Sequence, residues 1–234
     1  MAVTPEVLAE NVVPVLDHGF LALDGSLASD LAVVNGARVS FNQASDEMTE
    51  RDEGLIRFLM RERHGSPFEH GYFRFVVKAP LFVVREHHRH RAGHSYNEWS
   101  GRYAKMEPEF YVPENVRTQV GKPGAYSFEP VEDDVRENAQ REIEENATRA
   151  FQAYERMLEQ GVAKEVARSV LPLSTYTKYY WSCNPRSLMH FCSLRNHEAA
   201  QFEIQQYAAA AESFLERAMP VTHAAFVANE RTAP

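Results

Sequence analysis

Residues 85–103 read REHHRHRAGHSYNEWSGRY, which places four histidines and four arginines within nineteen positions. The chain as a whole has the opposite balance, because its 234 residues carry 25 Lys and Arg against 33 Asp and Glu, a formal net charge of -8. A local reversal of charge in an acidic protein indicates an anion-binding site more than a feature that serves solubility. The interpretation of the whole chain therefore depends on what this segment binds.

Three interpretations of the segment 85–103 do not involve a small anion. A zinc site would use its four imidazoles, but the interleaved guanidinium groups keep their charge and repel a cation. Single-stranded nucleic acid would suit arginines that alternate with Tyr96, Trp99 and Tyr103, but the acidic composition disfavours that partner. A solvated basic helix end, paired with acidic residues elsewhere, is the ordinary structural interpretation.

The fourth interpretation is a pocket for an anionic small molecule. Guanidinium groups bind phosphate oxygens in a bidentate geometry, and Arg89-His90-Arg91 lies near a predicted helix C-terminus, where positive charge is stabilised. Hydrogen-bonding groups that could recognise a polar ring follow: Ser95, Asn97, Glu98, Ser100 and the main chain at Gly101. This combination is typical of a site for a phosphorylated ligand that carries a heterocycle.

Outward from this segment, the residue pattern predicts an α+β protein in which helices dominate. Helices are expected over Asp30–Phe41, Glu50–Arg63, Pro80–Arg91, Val131–Gln160, Ala163–Leu171, Pro185–Asn196 and Ala199–Ala218. Strands are expected over Gly71–Ala79 and Ser174–Cys183. Residues 113–130 contain three prolines and two glycines, and they are expected to form a loop.

Composition disfavours several classes of protein. No run of eighteen apolar residues predicts a membrane span, and MAVTPEVLAENVVPVLD at the start lacks the basic and apolar regions of a secretory signal. Two cysteines, Cys183 and Cys192, do not suggest a disulfide framework, which favours a cytoplasmic location. The chain has neither a G-x-G-x-x-G sequence nor a Walker loop, which disfavours a Rossmann flavoprotein and a P-loop enzyme.

The sequence R-H-R at 89–91, followed by S-G-R-Y at 100–103, resembles the signature of the flavin-dependent thymidylate synthases. Other blocks resemble that family in the same order: ARVSF (37–41), HGSPFEH (64–70), KAP (78–80), VARSVLPL (166–173), NPRSLMHF (184–191), LR (194–195) and EIQQYA (203–208). The resemblance covers about residues 20–220. One departure is that eight residues, 92–99, separate Arg91 from Ser100 where the family usually has seven, and Gly93 could absorb the extra residue as a kink.

The resemblance implies both an activity and an architecture. Enzymes of this family make dTMP from dUMP with 5,10-methylenetetrahydrofolate as the carbon donor. NADPH reduces a bound FAD, which supplies the hydride, and no enzyme nucleophile is used. The implied fold is a helix-rich single α+β domain over residues 1–234 with a central, mostly antiparallel sheet. The implied assembly is a cytoplasmic homotetramer with active sites at subunit interfaces and with no nucleic-acid or membrane partner.

The resemblance also assigns site residues, by position in the matched motifs. FAD is expected to contact Ser40, Ser66, Glu69, Arg89, His90, Arg91, Glu98, Asn184, Arg186 and His190. dUMP is expected to contact Glu86, Arg89, Glu98, Ser100, Gly101, Arg102, Arg168 and Arg195. The expected catalytic set is Arg195, Arg168, Ser100 and His64, and no metal is expected. Arg168 or Arg195 would polarise the uracil carbonyl, His64 would assist folate binding or methylene transfer, and Ser100 lacks the His–Asp pairing of a nucleophile.

Helix geometry adds an expectation about Pro185–Asn196. Arg186 and His190 are four positions apart and share one face, whereas Arg195 falls on the opposite face with Leu188 and Phe191. One helix would then serve two pockets, which is natural at a subunit interface. Taken singly, several of these residues have plain structural explanations, as turn residues, a helix cap or a helix-end histidine. A non-catalytic nucleotide-binding or nucleic-acid-binding protein on the same scaffold, or a His-ligated metal hydrolase, is the competing function.

Overall fold

The computed structural model describes residues 11–122 and 125–234. Its main sheet has five antiparallel strands in the order β1-β2-β3-β7-β4. These strands are β1 (Val12–Val15), β2 (Gly19–Ser26), β3 (Phe73–Pro80), β4 (His94–Glu98) and β7 (Tyr176–Cys183). A separate hairpin consists of β5 (Arg117–Lys122) and β6 (Ala125–Pro130). The expected helix-rich α+β fold with an antiparallel sheet is confirmed.

The described residues also form eight α-helices. They are α1 (Asp30–Arg38), α2 (Glu50–Arg61), α3 (Leu81–His87), α4 (Asp133–Glu159), α5 (Lys164–Ala167), α6 (Pro185–Arg195), α7 (Phe202–Ala218) and α8 (Pro220–Ala228). The core forms where β3 and β7 meet, because their alternate residues point to the same side. Phe75 pairs with Trp181 across the strands, the two rings lie 4.9 Å apart, and Phe214 of α7 covers Phe75 at 5.5 Å. The sheet and α6 therefore form a rigid base for the residues that follow α3.

The helix after Pro80 is shorter than the sequence predicts. It ends at His87 rather than at Arg91, because the main-chain N–H of His90 bonds the oxygen of His87 at 3.0 Å and closes a turn. Gly93 then adopts a positive φ of 72° before β4 begins. The difference matters for the site, because the Arg89-His90-Arg91 sequence lies on a turn and not on a helix face.

Residues 113–130 are not the loop that the sequence predicts, because most of them form the β5–β6 hairpin. The prediction was wrong because its prolines and glycines punctuate the hairpin instead of breaking it: Gly121 has φ 106°, and Pro130 is the last residue of β6. Pro123 and Gly124 lie outside the described residues. Strands β1, β2 and β4 and helix α8 were not predicted. The secretory-signal question concerns residues 1–17, of which 1–10 also lie outside the described part.

Candidate active site

The turn that follows α3 directs the side chains of Arg89-His90-Arg91 in different ways. Tyr96 on β4 donates from its hydroxyl to the main-chain oxygen of His87 at 3.1 Å and to that of His90 at 2.8 Å. These bonds satisfy carbonyl groups that a helix end leaves without partners. His90 is turned inward and is buried, whereas Arg89 and Arg91 are exposed. The turn therefore presents two guanidinium groups on either side of a buried imidazole.

His90 is held neutral by its surroundings. Nε of Arg195 donates to Nε2 of His90 at 3.0 Å, so this imidazole nitrogen carries no proton. Burial, together with the positive charge of Arg195, lowers the pKa of His90 to about 4. At neutral pH the imidazole is therefore a hydrogen-bond acceptor that orients Arg195 and adds no charge of its own.

Arg195 is held by a second partner, Glu86 on α3. Nη1 of Arg195 lies 3.0 Å from Oε2 of Glu86. Nη2 of Arg195 forms no hydrogen bond with any residue that the structure describes. A partly buried guanidinium fixed at two nitrogens, with the third one available, is a preorganised donor. It lines a cleft of about 420 Å³ together with Arg89 and Arg91.

Two more histidines of this segment form the wall behind the turn. His87 is buried, its Nδ1 lies 2.7 Å from the hydroxyl of Tyr179, and its ring packs edge-on against Trp181 at 4.3 Å. Nε1 of Trp181 donates to Nδ1 of His94 at 2.9 Å. Burial lowers the pKa of His87 well below its ordinary value and that of His94 to about 4. These imidazoles are neutral packing groups at neutral pH, so the arginines carry the positive charge of the segment.

A second cleft lies at the first turn of α6. Asn184 caps this helix, because its side-chain oxygen accepts a hydrogen bond from the main-chain N–H of Ser187 at 2.8 Å. Oγ of Ser187 donates to the main-chain oxygen of Ala92 at 3.0 Å, which holds the turn against the helix. A Cβ atom on Gly93 would lie 2.1 Å from Oγ of Ser187. The expected kink is thus present at Gly93, where only glycine fits.

Arg186 crosses this second cleft and joins three parts of the chain. Its Nη1 donates to Glu69 at 2.5 Å, and its Nε donates to the main-chain oxygen of Pro234 at 2.6 Å. A Cβ atom on Gly65 would lie 2.5 Å from the guanidinium, so the glycine leaves room for it. The cleft has a volume of about 480 Å³, and Glu69, Asn184 and Arg186 line it.

The two ends of α6 therefore serve adjoining clefts. Arg186 lines one cleft, Arg195 lines the other, and His190 lines both. Leu188 and Phe191 are buried, as helix geometry predicts. The side chain of Arg195 does not enter the core with them. Arg195 lies on the last turn of α6, and its guanidinium points back toward the end of α3. His190 is exposed between the two arginines.

Residues 98–102 form a group at the other end of β4. Oε1 of Glu98 accepts a hydrogen bond from the hydroxyl of Thr177 at 2.9 Å. Oγ of Ser100 lies 3.4 Å from Nε of Arg102. The two ends of β4, His94 and Glu98, are about 13 Å apart, at about 3.3 Å per residue. No residue of 98–102 lines either of the two clefts.

Arg168 belongs to this second group. Gly101 is buried, and a Cβ atom there would lie 3.3 Å from Cδ of Arg168. Apolar side chains next to this group are unusually exposed, with Tyr103 at 73% and Val166 at 55%. The guanidinium of Arg168 forms no ion pair with any carboxylate of residues 11–122 or 125–234.

The remaining predicted site residues lie outside both clefts. Ser40 is exposed in the turn Val39–Phe41. His64 is exposed after α2, with its ring edge-on to Phe58 at 5.7 Å. Ser66 is exposed and begins the short 3-10 helix Ser66–Glu69. It therefore lies one turn before Glu69, which bonds Arg186 on the first turn of α6.

Comparison with known proteins gives the family. The sequence model of the thymidylate synthase complementing protein family matches residues 23–221 of this chain. The chain belongs to the flavin-dependent thymidylate synthase family. The flavin-dependent thymidylate synthase of Streptomyces coelicolor is 48% identical over 223 residues, which cover 89% of this chain and 91% of that relative. The one from Thermotoga neapolitana is 46% identical over 216 residues, which cover 92% and 94%.

Solved structures agree with this family. A UMP/dUMP methylase, PolB from Streptomyces cacaoi, bound with 5-Br dUMP, is 43% identical and has a TM-score of 0.87. The match covers 95% of this chain and 100% of that one. The resemblance inferred from the sequence motifs is confirmed, and so is the expectation of an enzyme of the methyltransferase class. Family membership also implies a flavin cofactor.

The chain contains two cysteines, and neither forms a disulfide. Cys183 and Cys192 are both buried, and burial raises the pKa of each thiol well above its ordinary value. Neither cysteine lines either of the two clefts.

No three His, Cys, Asp or Glu side chains in the described ranges are grouped in a way that could hold a metal ion. No helix there is long and apolar enough to cross a membrane.

Sequence reasoning missed several residues that build the site. The sequence indicates Tyr96 only as an aromatic residue of the basic segment. In the structure its hydroxyl stabilises the turn through hydrogen bonds to two main-chain oxygens. Ser187 was not singled out, although its hydroxyl joins α6 to Ala92. Pro234 lies outside the matched motifs, and no local pattern indicates that its oxygen meets Arg186. For Tyr96, the alternation with His94 and Glu98 was the available signal of a strand.

Proposed function

We propose that this enzyme makes dTMP from dUMP, with 5,10-methylenetetrahydrofolate as the carbon donor and NADPH as the source of reducing equivalents. The observation that carries the proposal is a pair of adjoining clefts on α6, which four arginines line: Arg89, Arg91, Arg186 and Arg195. Neither Arg89 nor Arg91 forms an ion pair with a described carboxylate, although the chain has 33 acidic residues. Unpaired guanidinium groups in an acidic protein favour phosphorylated ligands.

The cleft at the first end of α6 fits a flavin nucleotide. Arg186 and Asn184 would hold it from the helix, with Glu69 and His190 beside them, and Arg89, His90 and Arg91 would contact the part of it that extends into the adjoining cleft. The fit is supported by Gly93, which lines the cleft and, without a Cβ atom, lets the turn approach Ser187 and Asn184 closely. When bound, FAD supplies the hydride for the reaction. Ser40, Ser66 and Glu98 lie farther from this cleft, and their FAD contacts would involve a neighbouring subunit.

Arg195 is the residue that we assign to the uracil of dUMP. Its Nε and Nη1 are occupied by His90 and Glu86, so Nη2 is available to donate to a ring carbonyl. Charge that develops on that oxygen would be stabilised by a guanidinium that is already oriented. Arg89 would contact the phosphate from the exposed side of the turn. Glu86 would border the nucleotide and keep Arg195 in place.

We propose that no enzyme nucleophile attacks the uracil ring. Both thiols are buried and remain protonated at neutral pH. Oγ of Ser100 lies next to Arg102, and among the described contacts no histidine accepts its proton. These facts support a mechanism in which binding and charge stabilisation come from the protein and the redox chemistry comes from the cofactor.

The complete site would form between subunits of a homotetramer. Ser100, Gly101, Arg102 and Arg168 would bind dUMP, but none of them lines either cleft of the same chain. Exposed Tyr103 and Val166 beside this group suit burial against another copy. His64, exposed at the end of α2, would then face the folate from a neighbouring subunit.

An absorbance spectrum of the purified protein, before and after addition of dUMP, is the test of this function. We expect a flavin spectrum that shifts with dUMP, and dTMP formation that requires methylenetetrahydrofolate and NADPH. UMP is added in parallel, because a related methylase has been crystallised with 5-Br UMP as well as 5-Br dUMP. A colourless protein that does not take up added FAD would contradict the proposal. Formation of dTMP without flavin would contradict it equally.

A further inference from the structure

Glu212 on α7 is a buried carboxylate that connects three elements. It is only 5% exposed and lies behind α6, away from both clefts. Its Oε2 accepts hydrogen bonds from Nδ2 of Asn196 at 2.7 Å and from Nη1 of Arg231 at 2.6 Å. Its Oε1 lies 3.0 Å from Nε2 of His223 on α8. A carboxylate with this many partners is a rigid anchor point.

The charge of Glu212 depends on these partners. Burial alone would raise the pKa of Glu212, but the hydrogen bonds from Asn196, His223 and Arg231 outweigh it, and the pKa lies below its ordinary value. A buried carboxylate that lost a partner would be costly, so the three groups are held in place together.

The first connection leads to Arg195. Asn196 directly follows Arg195 and ends α6, with its main-chain N–H bonded to the oxygen of Cys192 at 2.9 Å. The side chain of Asn196 is bonded to Glu212, so the last residue of the helix cannot fray. Because Arg195 is the preceding residue, this bond holds the main chain at the point where the Arg195 side chain leaves the helix.

The second connection leads to Arg186 at the other end of α6. Glu230 and Arg231 have positive φ values of 53° and 54°, which is a strained conformation for such residues. Arg231 is held in it by Glu212 and by Ser193 of α6, whose hydroxyl donates to the main-chain oxygen of Arg231. The chain then runs on to Pro234, which is buried and accepts the hydrogen bond from Nε of Arg186.

We propose that Glu212 is a positioning residue for both clefts. Through Asn196 it orients Arg195, and through the segment 231–234 it holds the guanidinium of Arg186 in the first cleft. The inference rests on the proposed function, because it takes Arg195 as the dUMP contact and Arg186 as the FAD contact. One buried carboxylate outside the active site would then control two ligand-binding steps by two separate routes.

The two routes can be separated by substitution. We expect Asn196→Ala to raise the KM for dUMP about tenfold and to leave the Kd of FAD within about twofold of the original value. Arg231→Met, which keeps the apolar stem, should do the reverse. Glu212→Gln should raise both constants. The matched control is Glu144→Gln on α4, an exposed carboxylate that contacts none of the partners of Glu212, and it should change neither constant.

We would also measure the melting temperature of each variant, because a purely structural role of Glu212 predicts a different pattern of KM and Kd values. If Asn196→Ala and Arg231→Met raise both constants by the same factor, in step with lost stability, Glu212 only stabilises the fold and the inference is wrong. Tighter FAD binding in Arg231→Met would also overturn it, because the segment 231–234 would then compete with the cofactor. Should Glu212→Gln fail to fold, the two single variants still decide the question.

Reference variants distinguish failure of this inference from failure of the proposed function. Arg195→Ala should weaken dUMP binding and Arg186→Ala should weaken FAD binding, whatever Glu212 does. If neither reference variant changes its constant, the ligand assignments are wrong, and the inference falls with them. If both do while Asn196→Ala and Arg231→Met have no effect, only the role of Glu212 is refuted.

Discussion

Nε of Arg195 donates to Nε2 of His90 at 3.0 Å, so each of these two residues sets the state of the other. Arg195 is oriented by a neutral acceptor. His90 is kept neutral by burial and by the adjacent positive charge, which bring its pKa to about 4. In the function that we propose, the histidine at the centre of the R-H-R sequence would act on the reaction through this arginine.

Removal of Arg195 should change the titration of His90. In Arg195→Gln, we expect the pKa of His90 to rise above about 4 but to stay below 6.5, because the imidazole remains buried while the nearby charge is gone. The measurement is an NMR titration of the His90 ring protons. The control is Arg217→Gln on α7, which should leave the titration unchanged. An unaltered pKa in Arg195→Gln would mean that burial alone sets it.

The same substitution should reduce turnover. Loss of a preoriented guanidinium at a developing oxyanion typically costs about a hundredfold or more in kcat. We therefore expect kcat/KM for dUMP to fall by about that factor in Arg195→Gln, with a small change in melting temperature. The check is steady-state kinetics, with Arg217→Gln again as the control. Activity within about tenfold of the original would contradict the assignment of Arg195 to the uracil.

The sequence predicts the positions of the motifs well, but it predicts poorly the tertiary contacts that join them. The ordered blocks predict the family, and the 3.6-residue period predicts α4 and α6 within about two residues. By contrast, the end of α3 depends on Tyr96 bonding two main-chain oxygens from a neighbouring strand. That contact is tertiary, so the local helix signal overestimated the helix by one turn.

The β5–β6 hairpin is a second element for which the local sequence gives a wrong prediction. Its proline and glycine content predicts a loop, yet Pro130 pairs with Arg117 at the end of the ladder, where the missing N–H is tolerated. In the site itself, the contact of Arg186 with Pro234 spans 48 positions. Neither periodicity nor a local motif indicates a contact between residues so far apart in the sequence. The sequence therefore does not predict that the segment 231–234 lies near the flavin cleft.

Gly93→Ala should damage both stability and flavin retention. A Cβ atom there would meet Oγ of Ser187 at 2.1 Å, and the residue has a φ of +72°. We expect a loss of about 2 kcal/mol or more in unfolding free energy, the sum of left-handed strain and a clash that separates the turn from α6. Urea unfolding and the flavin content of the purified protein are the two measurements.

The matched control for Gly93 is Gly161, which has a φ of +82° and no atom within 4 Å of an added Cβ. Gly161→Ala should cost only the strain, about 1 kcal/mol, and should retain flavin fully. Equal losses of stability and flavin in the two variants would show that the contact with Ser187 has no specific role in the cleft.

Both cysteines should be dispensable for catalysis. Cys183→Ala and Cys192→Ala each remove a small buried side chain, so we expect about 1 kcal/mol of lost stability. Formation of dTMP per flavin-containing enzyme should stay within about twofold, because neither thiol lines a cleft. A loss of a thousandfold in kcat with intact flavin binding would point to a covalent thiol mechanism and would refute the proposed chemistry.

Stability should fall as the pH decreases from about 6.5 toward 4. Four histidines have pKa values lowered below 6.5 in the folded protein: His87 and His90, which are buried, and His88 and His94, which are partly buried. In this window the unfolded chain binds more protons than the folded one, so the unfolding free energy decreases as the pH falls. Each histidine contributes up to about 1.4 kcal/mol per pH unit. Urea unfolding at about pH 7 and about pH 5 measures the slope.

Substitution identifies the groups responsible for that slope. Buried carboxylates with lowered pKa values, such as Glu203, lose their contribution only below about 4.5, outside the measured window. We expect His94→Gln to reduce the slope, because glutamine can still accept from Trp181 but does not titrate. The exposed His197 is the control position, and His197→Gln should leave the slope unchanged. A slope that His94→Gln does not alter would assign the effect to other groups.

Two inactive variants should restore activity to each other if the site lies between subunits. Arg195→Ala removes a group on α6 that lines one of the clefts, and Arg102→Ala removes a group that lines neither cleft of the same chain. In mixed tetramers, about a quarter of the interfaces would then combine an intact Arg195 from one chain with an intact Arg102 from another. We expect dTMP formation to recover to about that fraction after the two variants are unfolded and refolded together. Mixing without subunit exchange is the control and should restore nothing. If co-refolded tetramers, verified by mass, remain inactive, both residues act within one chain, and the interface site would have to be abandoned.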